Sequence, residues 1–206
     1  PIEISTQRLN ERLNMTNVNN YSGNFQIDAA HSEIGFVARH AMVTKVRGAF
    51  TDFEGTATSG ENLEGAKIDV KIDVNSVDTR NADRDGHLTS GDFFETEKYP
   101  HITFTSTDIT AAGETAIKVT GDLTIKDVTK PVTIEFDFTG EVQDPWGQTR
   151  VGFEGSTSIN RRDFGLEWNT ALDGGGVLVS EKITLNFDIS AVCLLYTSPS
   201  PRDGLL

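Results

Sequence analysis

The chain has almost no cysteine: one in 206 residues, Cys193, close to the C-terminus. A single thiol can neither close an intrachain disulfide nor build a cysteine metal cluster, although its scarcity does not identify a compartment. Cations are also outnumbered. Eighteen lysines and arginines face 31 aspartates and glutamates, for a net charge of −13. Such a chain repels phosphate backbones and anionic surfaces, which disfavours nucleic acid and membrane surfaces as general partners. No apolar run approaches the ~20 residues that a membrane-spanning helix needs, so no transmembrane segment is expected.

Catalytic signatures are missing as well. There is no Gly-x-Ser-x-Gly elbow, and Ser32 is only the sequence neighbour of His31. No phosphate- or dinucleotide-binding glycine loop occurs, because Gly174-Gly175-Gly176 precedes a strand pattern rather than a helix. The four histidines are His31, His40, His87 and His101, with neither HExxH nor His-x-His spacing. At ~3.3 Å per residue, His31 and His40 stand too far apart on one strand to share a metal. They are read as hydrogen-bonded structural residues. No catalytic residue, metal or cofactor is therefore expected, although spacing alone does not exclude a glycosidase-like carboxylate pair.

What the chain does have is strict alternation. Ile68, Val70, Ile72 and Val74 share one face of an extended segment, with Asp69, Lys71 and Asp73 on the other. Ile117, Val119, Leu123 and Ile125 repeat the pattern, as do Val132, Ile134, Phe136 and Phe138. Strands are predicted over 24–28, 33–39, 45–59, 66–74, 101–110, 116–125, 132–142, 148–160 and 177–191. Turn chemistry falls between them, at Ser59-Gly60, Ala112-Gly113, Gly140 and Asp144-Pro145-Trp146-Gly147. Residues 76–97 lack alternation and are expected to hold one or two short helices. Eight or nine antiparallel strands at this spacing imply an all-β barrel or sandwich. An eight-stranded barrel is either filled by side chains or holds one slender ligand.

The two ends break the pattern. Met15 opens the segment leading to the first strand, so residues 1–14 are expected to be non-native or disordered, the domain to span 15–192, and its compartment to be cytoplasmic if Met15 is the start. Residues 193–203, CLLYTSPSPRD, match a common sequencing adapter translated in one frame, so 193–206 is expected to be a read-through tail. On that reading neither end contributes to folding.

Several separated motifs resemble the YceI family of lipocalin-like polyisoprenoid-binding proteins. They are IDAAHSEIGFVARHAMVTKVRGAFTDFEG at 27–55, DVNSVDTRNADRDGHL at 73–88, GDLTIKDVTKPVTIEFDF at 121–138 and GFEGSTSINRRDFGLEWN at 152–169, together with the helix-to-strand join at 84–107. The resemblance implies an extended eight-stranded antiparallel barrel around a long apolar pore, with one or two short helices covering part of it. It implies a non-enzymatic bacterial carrier for a polyisoprenoid, isoprenoid quinone or similar lipid, and leaves a homodimer as an option. Candidate pore-lining residues are Phe36, Phe50, Phe53, Phe104, Leu123, Ile125, Phe136, Phe138, Phe153, Phe164, Trp168 and Phe187. Core filling is the alternative for each of them. Candidate polar-rim residues are Arg39, His40, Arg84, Arg161 and Arg162, with structural ties to backbone carbonyls as the alternative. Two other functions stay open: an enzyme at the barrel mouth, and a structural or stress-related module with a filled barrel.

Overall fold

The computed structural model describes residues 17–18 and 21–194. Segment 1–14 and the part of the tail from 195 onward, for which no role in folding was expected, lie outside the described residues. Among the described residues there are eleven strands and one α-helix: β1 Gly23–Ile27, β2 Glu33–His40, β3 Thr44–Phe50, β4 Phe53–Ser59, β5 Lys67–Asp73, β6 Val77–Asp78, α1 Ala82–Thr89, β7 His101–Ala111, β8 Ala116–Ile125, β9 Val128–Gln143, β10 Thr149–Asn160 and β11 Lys182–Leu194.

All pairings are antiparallel, and the sheet closes where β1 pairs with β11. β11 also pairs with β2, directly before its β1 partners in register. Likewise β1 and β2 pair with β4 and β3, and β4 and β3 with β5 and β6. The eleven strands are thus eight staves, three of them interrupted, in a closed eight-stranded up-and-down barrel. Closure leaves no long exposed strand edge.

The predicted strand over 45–59 is broken at Thr51-Asp52, and the reason is a cross-stave bond. Thr51 donates its N–H to Ser76 O at 3.3 Å, and Asp73 donates its N–H to Asp52 O at 2.9 Å. The neighbouring stave breaks at the same level, in the 3₁₀ turn Val74–Ser76. The first stave breaks at Ala29–His31, where Asp28 accepts from Ala30 N–H at 3.1 Å. The predicted strand over 177–191 begins only at Lys182, because 177–181 bonds to a neighbouring loop and to the end of β2: Leu178 N–H donates to Thr170 O and Ser180 N–H to Arg39 O. Its far end extends past the expected stop at Val192. Cys193 stands opposite Phe25 and Leu194 opposite Asn24 in the closing seam, so the first two residues assigned to the tail are part of the barrel.

Asp28 joins three elements. Its Oδ2 accepts from Arg150 of β10 at 2.6 Å and lies 2.7 Å from His31 Nδ1. The Arg150 guanidinium, then His31, hold its carboxyl below the ordinary value. A depressed acid stabilises the fold above its unfolded pKa of ~3.9, and that contribution disappears as pH falls through the lower folded value. The melting temperature of the native protein is therefore expected to fall below about pH 4. Asp28→Asn is expected to melt lower at neutral pH and to show a flatter acid limb in the same scan.

α1 is only eight residues long, with Gly86 inside it, and would be marginal alone. Asn81 caps it by accepting from Arg84 N–H at 3.0 Å, and Ser90 Oγ donates to His87 O at 2.6 Å. Leu88, Phe93 and Phe94 pack it onto the principal core cluster, which holds Phe50, Val74, Val77 and Phe164. A second, smaller cluster at the other end of the barrel centres on Val18, Ile117 and Val119.

Candidate functional site: an apolar lumen

Inside the staves lies a cavity of about 440 Å³. That is within the usual size of small-molecule sites, ~300–1,000 Å³. Its wall is the inward row of each strand. Ile183, Leu185, Phe187, Ile189 and Ala191 of β11 all line it, a row ~27 Å long at ~3.4 Å per residue. The lumen therefore follows most of the length of the barrel. Polar lining groups are confined to its two ends, with Thr58 and Ser59 at one and Arg39, His40, Thr79, Arg84, His87 and Arg161 at the other.

The first end is plugged. Val18, only 2% exposed, packs with Ile117 and Val119 and donates its N–H to Glu114 O at 2.8 Å. Tyr21 fastens the plug, donating its hydroxyl to Glu141 Oε2 at 2.6 Å. Burial, reinforced by that carboxylate, raises the phenol pKa, so Tyr21 remains a donor well into alkaline pH.

The second end is the mouth, under α1. Arg84 Nε donates to Thr79 Oγ1 at 2.8 Å and Nη2 to Thr79 O at 2.7 Å. Thr79 donates both its hydroxyl and its N–H to Asp85 Oδ1. The arginine is held by two bonds, and Nη1 has no protein partner among the described residues. His87 Nε2 is 2.8 Å from Asp92 Oδ2, and its ring meets Trp168 edge-on at 4.7 Å. His40 stands at the end of β2 in an isolated bridge with Val179.

Nine of the twelve pore candidates line the lumen: Phe36, Phe50, Phe104, Leu123, Ile125, Phe136, Phe153, Trp168 and Phe187. Phe53, Phe138 and Phe164 do not. Phe53 opens β4 just past the break at 51–52 and is buried in the principal core cluster. Phe164 fills the same core from the 3₁₀ turn Arg161–Phe164. Phe138 is turned to the plugged end, where its ring meets Tyr21 at 5.2 Å and Phe153 at 5.5 Å.

The rim candidates divide likewise. Arg39, His40 and Arg84 are at the mouth. Arg161 borders the cavity but is 3% exposed, with its guanidinium spent on Ser180 O, Leu166 O and Val179 O. Arg162 points away and pairs with Glu181 at 3.1 Å. Adjacent residues of a tight turn face opposite ways, which alternation arguments do not resolve. The sequence reading missed Phe25 of β1, and also Val18, Tyr21, Phe93, Phe94 and Leu178. The last five sit in irregular segments, where no two-residue period exists to mark an inward face.

Three glycines keep the lumen open, and the sequence did not advertise them. Gly48 is opposite Phe36, and Gly155 stands between Phe136 and Phe187, whose rings approach to 5.8 Å. Gly121 has the Phe104 ring against it. Each ring lies flat where a side chain would otherwise project. A Cβ on Gly48 would fall 2.3 Å from Phe36 Cζ, so the ring must swing away, and the lumen offers the space. Gly48→Ala is accordingly expected to fold but to admit a bulky apolar probe less readily. Competition between probes of increasing width would show this as a loss that grows with width.

Among the described residues, no group of three His, Cys, Asp or Glu side chains is placed to hold a metal ion, and no helix is long and apolar enough to cross a membrane.

A closed antiparallel barrel with a helix over the mouth of an apolar lumen is a lipocalin-like fold. The YceI-like domain model matches residues 25–191, and the chain belongs to that family. UPF0312 protein plu2095 of Photorhabdus laumondii is 44% identical over 149 residues, covering 71% of this chain and 77% of that protein. Protein YceI of Escherichia coli O157:H7 is 42% identical over the same length, 71% of this chain and 78% of its own. Among solved structures, BcnA of Burkholderia cenocepacia superposes with a TM-score of 0.70 at 25% identity, over 80% of this chain and 98% of that one. A polyisoprenoid-binding domain from Saccharophagus degradans shares the fold, with a TM-score of 0.64 at 19% identity, over 82% and 98% of the two chains.

Proposed function

We propose that the protein binds and carries one long-chain apolar or amphiphilic molecule, a polyisoprenoid or isoprenoid quinone, in the lumen. The observation that carries this reading is an apolar cavity extending along most of a closed barrel, with polar groups only at its ends. The shared fold of a polyisoprenoid-binding domain supports the same ligand class. The chain enters past α1 and leaves water, which favours binding by ~0.8 kcal/mol per buried CH₂. Loss of translational freedom and ordering of the chain offset much of that sum. The head group stays at the mouth, where Arg84 has a free Nη1 and its guanidinium is held by Thr79, itself bonded to Asp85. No protein group is asked to break a bond, no cofactor takes part, and one chain suffices to form the cavity.

Organic extraction of the folded protein, followed by mass spectrometry, tests the assignment. The expected extract contains one class of long-chain apolar molecule in stoichiometric amount. Recovery of only mixed short-chain lipids in trace amount would reject it.

A further inference from the structure

The β2–β3 hairpin carries a charge pattern opposite to that of the rest of the chain. Residues 34–51 contain Arg39, Lys45 and Arg47 and none of the chain's 31 carboxylates. Arg39 and Lys45 stand directly opposite each other in the ladder, and Arg47, two residues along, shares their face. Like charges opposed across strands are unfavourable. None of the three has an ion-pair partner among the described residues. Carboxylates resume at Glu33 and Asp52, the far ends of the two strands; on the neighbouring loop Glu181 is engaged by Arg162, and Asp173 is exposed.

The tip of the hairpin is apolar and turned to solvent. Met42 is 61% and Val43 74% exposed, with Val177 of the adjoining loop at 37%. This tip is built rather than loose. Ala41 and Met42 have positive φ, Ala41 N–H donates to Leu178 O at 2.8 Å, and Arg39 Nη1 donates to Val43 O at 3.3 Å. Its base is the lumen mouth, lined by Arg39, His40, Leu178 and Val179.

We propose that this hairpin is a docking surface for a lipid bilayer bearing anionic head groups, and that ligand passes between bilayer and lumen there. The inference rests on the carrier reading for its purpose but not for its test. Apolar side chains inserted at the interface with cations just behind them are what such a surface binds. The overall negative charge opposes approach at long range, but it is screened beyond ~8 Å at physiological ionic strength, so at contact the local cations dominate. An apolar ligand then exchanges without crossing water.

The test is sedimentation of the full-length protein with vesicles of phosphatidylcholine, with and without phosphatidylglycerol. Protein is expected in the pellet only with phosphatidylglycerol, and less of it as salt rises. Met42→Ser with Val43→Ser, and separately Lys45→Gln with Arg47→Gln, should each weaken partitioning by about tenfold or more. Neither pair belongs to the lumen wall, so circular dichroism and extracted ligand should match the wild type. Trp146→Ser is the control, because Trp146 is 81% exposed on the β9–β10 hairpin at the opposite end. It should bind vesicles like the wild type. No pelleting of the wild type, or pelleting of both hairpin variants to the same extent as the wild type, overturns the proposal. So does a change of oligomeric state in those variants without a change in vesicle binding, which would make the tip a contact between copies. A ligand-loaded protein that ignores vesicles rejects docking alone; an empty one that pellets rejects the carrier reading alone.

Discussion

Arg161→Ala is expected to lower the melting temperature by roughly 10 °C, a larger loss than any other arginine among the described residues should produce. The guanidinium is 3% exposed and donates to three carbonyls, Ser180 O, Leu166 O and Val179 O. It therefore ties the turn at 161–166 to the loop that leads into β11. Burial pushes its pKa down, but an arginine starts so high that it stays charged. Truncation leaves buried carbonyls without donors at ~1–3 kcal/mol each, or about 3–5 kcal/mol in all after local relaxation. At ~2–4 °C per kcal/mol for a chain of this size, the shift is on the order of 10 °C. Arg161→Lys should recover less than half, because a compact ammonium cannot span three acceptors as a planar fork does. Arg162→Ala, one residue away, removes an exposed pair with Glu181 and should shift melting by no more than about a degree. Thermal melts of the three variants check the contrast; equal losses at both positions would contradict it.

Phe136→Asp is expected to abolish ligand uptake at neutral pH while the barrel still folds. Phe136 lines the lumen and is only half-buried, because it faces open space rather than a packed core. A carboxylate there can remain hydrated until an apolar chain arrives. Binding must then strip it of water at a cost of ~2–7 kcal/mol, which corresponds to a loss of at least about 30-fold. The introduced acid would titrate above its ordinary value in these surroundings, so uptake should partly return as pH is lowered toward 5. Phe136→Ala removes contacts without adding charge and should weaken uptake far less. Uptake by Phe136→Asp equal to wild type at pH 7 would show that the chain does not occupy this stretch of the barrel.

The alternating segments were legible as staves because one buried face forces a two-residue period. Ile68–Ile72 and Ile117–Ile125 point inward as that period requires. The interruptions were not legible, since the break at Thr51-Asp52 is made by Ser76 on another stave. The same limit applies to the site. Phe53 and Phe50 read identically in sequence and share one core cluster, yet only Phe50 also borders the lumen, because the break between them redirects the chain. Val18 closes the barrel from a polar stretch without any period. Gly48 and Gly155 acquire meaning only when register sets Phe36 and Phe136 beside them.

Trp168 lines the lumen and Trp146 lies in solvent, and the chain has no other tryptophan. Trp146→Phe therefore leaves one reporter inside the proposed site. Titrating the delipidated single-tryptophan protein with a long-chain polyprenol tests lumen binding most directly. A saturable change in Trp168 emission is expected at one polyprenol per chain, absent when Phe136 is also changed to Asp. A flat titration of folded, delipidated protein would contradict it.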